Sequence, residues 1–158
     1  MNKYMKLADE LAMDNLKTKV GGPFGAVVVK DGEIVGRGSN HVLANNDPTA
    51  HAEVMAIRDA CTNLGTYDLS GCELYTSCYP CPMCLSAIIW ANIKTVYYGN
   101  TKEDAASIGF RDDFIYNYLE KLGSGEDSSD TLKLIGMDRQ DTIGAFSAFA
   151  EMQDKTIY

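Results

Sequence analysis

His51-Ala52-Glu53 and Pro80-Cys81-Pro82-Met83-Cys84 are the two stretches on which the reading of this chain turns. Cys81 and Cys84 lie three apart, so on a helix they share one face. Pro80 and Pro82 suit a helix entry, because the first turn needs few backbone N–H donors. A cysteine pair there sits at the positive end of the helix dipole, which favours the thiolate. His51 adds an imidazole nitrogen. Two thiolates and an imidazole are soft to borderline donors, and they select zinc over magnesium or calcium. One zinc ion per chain is expected on His51, Cys81 and Cys84.

Three protein ligands leave a tetrahedral position open, whereas structural zinc sites are closed by four. Water in that position would have its pKa lowered to about 7. Asp47-Pro48-Thr49 reads as a helix start capped by Asp47 or Thr49. His51 and Glu53 then fall in the first turn, and Glu53 is placed to carry protons as the catalytic acid–base. The N–H of Ala52 is a first-turn donor able to bond a substrate acceptor. Cys78 complicates this picture, because Cys78, Cys81 and Cys84 are evenly spaced. A fourth ligand from Cys78 would close the site and turn it into a non-catalytic zinc-binding interaction module. Cys78 ends a strand-like run, Leu74-Tyr75-Thr76-Ser77-Cys78, and is read as lying beneath the site. Alone, a C-x-x-C pair is often a redox pair or half of a structural zinc site. The two stretches together, with a strand pattern before the second, carry the reading.

Outward from this centre, helices and strands alternate. Residues 3 to 19 show helical spacing at Met5, Leu7-Ala8, Leu11-Ala12 and Leu16, stopped by Gly21-Gly22-Pro23. Phe24 to Lys30 is a strand, and Asp31-Gly32 turns it into a second from Glu33 to Gly38. A helix is expected from Ala50 to Leu64, a strand from Cys72 to Ser77 and a helix from Cys81 to Trp90. A strand follows at Lys94–Tyr98, then a short helix over 101–108 and a helix ending at Leu122. After the loop 123–130, Leu132–Gly136 fits a last strand. Residues 139–153 fit a final helix with Ile143, Phe146 and Phe149 inward. The alternation predicts a single α/β domain over residues 1–158. Asn40 has a donor and an acceptor suited to the edge of a heterocycle, and it equally suits a turn-shaping loop residue. Trp90, by itself, reads as core.

The chain has 158 residues and a formal net charge of −8, with no basic run. Phosphate binding relies on clustered Lys and Arg, so a nucleic-acid partner is not expected. No apolar run reaches the length of a membrane span, and the N-terminal stretch does not read as a signal peptide. Five cysteines without an export signal fit reduced thiols in the cytoplasm.

The sequence resembles the guanine deaminase branch of the cytidine deaminase-like zinc enzymes. The resemblance rests on Gly21-Gly22-Pro23-Phe24-Gly25-Ala26-Val27, Asn46 through Glu53, Tyr75 through Cys84, Gly109-Phe110 through Tyr116, and the C-terminal end at Tyr158. The H-x-E and P-C-x-x-C pair is a known signature of zinc nucleobase deaminases. The resemblance implies a three-layer αβα sandwich around a five-stranded mixed sheet, and a homodimer exchanging C-terminal segments. It implies hydrolytic deamination of guanine to xanthine and ammonia. It also implies that Asn40, the Ala52 backbone and Asp112 bind the purine edge, that Phe24 and Trp90 flank the ring, and that Tyr158 completes a partner's site. Tyr79, Ser86 and Asn92 depart from the usual pattern, where Glu, Gly and Arg are common. Deamination of tRNA adenosine shares the zinc motif, and guanosine, cytosine or an aminotriazine are other small substrates of the same chemistry.

Overall fold

Asn2 begins the first helix. Its side-chain oxygen accepts the N–H groups of Tyr4 and Met5 at 2.9 and 3.2 Å, so α1 (Lys3–Thr18) starts with two of its orphan donors satisfied. The computed structural model describes residues 1–158. Met1–Tyr116 forms one compact unit and Asn117–Tyr158 another.

The first unit is built on a sheet of β1 (Gly25–Lys30), β2 (Glu33–Ser39), β3 (Cys72–Cys78) and β4 (Thr95–Asn100), ordered β2-β1-β3-β4. β1 runs antiparallel to β2 and β3, and β3 runs parallel to β4. Asp31 and Gly32 both take positive φ, 50° and 81°, as a tight hairpin turn requires. Alternate residues of β1 face opposite sides. Val27 and Val29 join Tyr75 against Tyr4, Leu7 and Leu11 of α1. Ala26, Val28 and Leu74 pack against Ala52, Ala56 and Ala60 of α3 (Ala52–Leu64) and Ile88 of α4 (Pro82–Trp90). Helices therefore cover both faces of the sheet.

Small residues set how closely α3 lies on the sheet. A Cβ on Gly38 would stand 2.4 Å from both the Ala52 oxygen and the Ala56 nitrogen. One on Gly36 would stand 2.5 Å from the Ala56 oxygen. The helix backbone thus rests directly on the strand, which fixes the position of the helix's first turn. Shorter helices complete the unit: α2 (Val42–Asn45) and α5 (Lys102–Ser107), the latter opened by a Thr101–Asp104 capping box. α6 (Asp113–Ser124) follows, and the second unit carries α7 (Arg139–Glu151). No helix is long and apolar enough to cross a membrane.

Three expectations differ from this structure. The sheet has four strands, not five, because Leu132–Gly136 joins no ladder and its large side chains are exposed. Strand-forming residues state what fits a sheet, while a strand exists only where a neighbour supplies the other half of its hydrogen bonds. In α1 the inward stripe is Ala8, Ala12 and Asn15, and Leu16 is exposed. In α7 the expected inward face is open, with Phe146 75% exposed and Phe149 also exposed. A helical period defines an apolar face without defining what covers it.

Candidate active site

Two helix starts meet at the centre of the site. α3 begins at Ala52, with His51 in the N-cap position and extended (φ −69°, ψ 156°). This is later than Asp47–Thr49 suggested. The Asp47 carboxylate is instead occupied locally, accepting the backbone N–H and the hydroxyl of Thr49 at 2.8 and 2.7 Å. An aspartate closes a turn as readily as it caps a helix. Glu53 remains in the first turn. α4 begins the same way, with Cys81 extended at the N-cap position and Pro82 as the first helical residue.

This convergence places His51 Nδ1 3.5 Å from Cys81 Sγ and 3.6 Å from Cys84 Sγ. His51, Cys81 and Cys84 form a single donor group within 4.8 Å. Zinc–sulfur and zinc–nitrogen bonds of about 2.3 and 2.0–2.1 Å at a tetrahedral angle put the two ligand atoms about 3.5–3.6 Å apart. The donor set therefore fits zinc by chemistry and by spacing. Cys78 stands outside this group. Its thiol is directed at the Thr101 carbonyl at 3.6 Å, and burial pushes its pKa up to about 11.

The electrostatics suit a cation. Hydrogen bonding from Cys84, reinforced by His51, pulls the Cys81 thiol down to about 4. Cys84 keeps its own proton, because its hydrogen bond to the Cys81 sulfur raises its pKa. A divalent ion displaces that proton and takes both sulfurs as thiolates. Glu53 is 6% exposed, and burial raises its pKa. Its Oε1 accepts the hydroxyl of Thr76, itself fully buried on β3, at 3.1 Å. Its Oε2 lies 3.4 Å from Cys84 Sγ. The carboxylate is thus fixed by one oxygen and turned toward the metal ligands with the other.

A cavity of about 630 Å³ opens over this group, and Phe24, Asn40, Ala52, Glu53 and Asp112 line it. Asn40 is buried at the end of β2, and its Oδ1 accepts the N–H of Val42 at 3.1 Å. That bond uses one of the two lone pairs of the amide oxygen and leaves the amide nitrogen without a protein partner. Ala52 opens α3, where the first N–H groups have no helical acceptor. Asp112 immediately precedes α6, and burial followed by the Cys81 charge raises its pKa. Phe24 meets Phe110 edge to face at 5.0 Å. Gly22 makes room for this pair, since a Cβ there would lie 2.8 and 2.9 Å from the two rings.

Trp90 does not line the cavity of its own chain. It ends α4 and is 70% exposed, so it is not core either. Tyr158 lies in the second unit and is 82% exposed. Of the three departures, Ser86 bonds the Pro82 carbonyl, and Asn92 takes a left-handed conformation (φ 62°) after α4 and bonds Asp68. Only Tyr79 lines the cavity. It packs against Tyr98, with the Lys102 ammonium 4.7 Å from its ring centre. Sequence reasoning missed Thr76, Phe110, Lys102 and Asn15. The signal for Asn15 was available, as a polar residue on the inward stripe of an amphipathic helix.

Residues 1–100 match the sequence profile of the cytidine and deoxycytidylate deaminase zinc-binding region. The chain is 56% identical over 118 residues to a guanine deaminase of Bacillus subtilis, covering 75% of this chain and 76% of that protein. The X-ray structure of guanine deaminase from Bacillus subtilis superposes with a TM-score of 0.92 at 46% identity, covering 100% of this chain and 99% of that one. A tRNA-specific adenosine deaminase of Aquifex aeolicus is 47% identical over 76 residues, which covers 48% of this chain and 50% of that protein.

Proposed function

The chain belongs to the cytidine and deoxycytidylate deaminase family, and from that membership we infer that it hydrolyses guanine to xanthine and ammonia. The observation that carries this reading is a His51–Cys81–Cys84 group spaced for zinc, with the Glu53 carboxylate beside it under a cavity. Likeness to a guanine deaminase along the whole chain supports the choice of substrate. The likeness to tRNA-specific adenosine deaminases is weaker, at 47% identity over about half of this chain or 38% over most of it, which does not favour that substrate.

Zinc, held by His51, Cys81 and Cys84, supplies Lewis acidity that activates water at neutral pH. Glu53 moves the protons. The water oxygen bonds to the ring carbon that bears the amino group, and Glu53 carries a water proton to the adjacent ring nitrogen. Glu53 then carries the remaining hydroxyl proton to the amine as the carbon–nitrogen bond breaks. Water is consumed and ammonia leaves, with no net change in charge. Burial raises the Glu53 pKa, the direction that suits a carboxyl which must both accept and donate a proton.

The remaining site residues hold the base in this reading. Asn40 donates to a purine acceptor, the Ala52 N–H donates to a second, and Asp112 accepts from a ring N–H. Phe24 supplies an apolar wall. We read residues 1–158 as one functional domain acting as a homodimer. In it the C-terminal segment is exchanged, so that Trp90 and Tyr158 serve at the interface and at the partner's cavity. Their high exposure in the single chain supports this, as do exposed Ile135 and Phe146. A cytoplasmic setting without a nucleic-acid partner is supported by five free thiols and the acidic charge.

The test is ammonia release by the zinc-loaded protein from guanine, guanosine, adenine, cytosine, cytidine, an aminotriazine and tRNA. Release from guanine well above the others is expected. Preferential release from another member would overturn the substrate assignment.

A further inference from the structure

Asn15 is the one polar side chain that α1 buries, and it is 3% exposed. Its amide nitrogen donates twice, to the Gly22 carbonyl and to the Asn40 carbonyl, each at 2.8 Å. Both partners are acceptors, so the nitrogen end of the amide must point at them. Asn40 is held at its other groups too. Its N–H donates to the Phe24 carbonyl at 3.0 Å, and its Oδ1 accepts from Val42 at 3.1 Å. The Gly21 backbone closes against the same residue: a Cβ on Gly21 would stand 2.1 Å from Asn40 Oδ1 and 2.3 Å from its carbonyl oxygen. Asn15 therefore ties the Gly21–Gly22 turn to Asn40, and the only group of Asn40 left without a protein partner is its amide NH₂.

We propose that Asn15 is a positioning residue for ligand recognition. It does not line the cavity. By holding the Asn40 main chain, it fixes where the Asn40 amide donor stands and so the place at which a ring acceptor of the substrate is met. The proposal rests on the reading that Asn40 binds the purine. A residue needed only for packing would be as well served by an apolar side chain, as at Ala8 and Ala12 on the same stripe. Asn15 instead uses both amide hydrogens on the loops that frame the site.

The experiment compares Asn15→Leu and Asn15→Ser, the second leaving room for water to replace the amide. Zinc content and Tm of each are measured first. With zinc retained, KM for guanine is expected to rise about tenfold or more while kcat stays within about threefold, since the Asn40 contact is made in ground state and transition state alike. In an Asn40→Ala background the Asn15 effect on KM should disappear, because two residues acting through one contact are not additive. In the same zinc-loaded proteins, the Asn40 side-chain amide signals in an ¹⁵N correlation spectrum should shift or broaden in Asn15→Ser. An unchanged KM in both variants, or a KM effect that adds in full to that of Asn40→Ala, would overturn the proposal. If the wild type releases no ammonia from guanine, the substrate reading falls while the amide signals still decide this question. Signals that do not move would reject the positioning role.

Discussion

Replacing Gly38 by alanine would drive a methyl group into the backbone of α3. Its Cβ would stand 2.4 Å from the Ala52 oxygen and the Ala56 nitrogen. Ordinary contact begins near 3.4 Å, so strand and helix must part by about 1 Å, a gap that forfeits a quarter to a half of each contact's attraction. Ala52, Ala56 and Ala60, all fully buried, lie along the seam that would open. Overpacking of this kind costs about 1–3 kcal/mol. At about 2–4 °C per kcal/mol for a chain of this size, Tm should fall by about 2–12 °C. His51 precedes the displaced turn, so the 3.5 Å spacing to Cys81 should open as well and zinc should be stripped more readily. The assay is thermal unfolding of the zinc-loaded protein together with competition against a chelator. Gly144→Ala in α7 is the control, because nothing lies within 4 Å of its Cβ. That change should be neutral or stabilise by about 0.5–1 kcal/mol. A Gly38→Ala protein with unchanged Tm and unchanged zinc retention would refute the argument that close backbone packing positions the site.

Glu53→Gln should keep zinc and fold while lowering ammonia release by about 10²–10⁴-fold, and near-normal turnover would sink the proton-transfer role. Thr76→Val keeps the shape of a buried side chain and removes the hydrogen bond to Glu53 Oε1. That bond is worth roughly 1.5–3 kcal/mol to a charged acceptor, so kcat should fall about tenfold or more, and an unaltered kcat would discard it. Cys78→Ser should leave one zinc and two sulfur ligands by X-ray absorption, and loss of a sulfur would place Cys78 in the metal shell. Removing Tyr158 should reduce guanine turnover if the C-terminus completes a partner's cavity, and unchanged kinetics would end that proposal.

What this sequence determined by itself was local. Cys81 and Cys84 share a face because they are three apart on a helix opened by Pro82, and Asp31-Gly32 turns a hairpin because both residues tolerate positive φ. His51 and Glu53 were legible as neighbours at a helix start because they bracket one residue, and the structure brings both beside Cys84. The tertiary structure decided whatever depends on groups distant in the chain. Asp47 or Thr49 looked like the cap of α3, but the two bond each other and the helix began at Ala52. Asn15 and Leu16 are neighbours with opposite fates, because only Asn15 finds the carbonyls of Gly22 and Asn40 beneath it. The same holds for Asn40, whose amide oxygen accepts from Val42 while its amide nitrogen is left without a protein partner. Leu132–Gly136 has strand-forming residues and no ladder, since pairing is a property of two segments and not of one. Spacing along a chain fixes what lies within a turn or two. Which donor meets which acceptor across 20 or 50 residues is settled only when the sheet and its helices have packed.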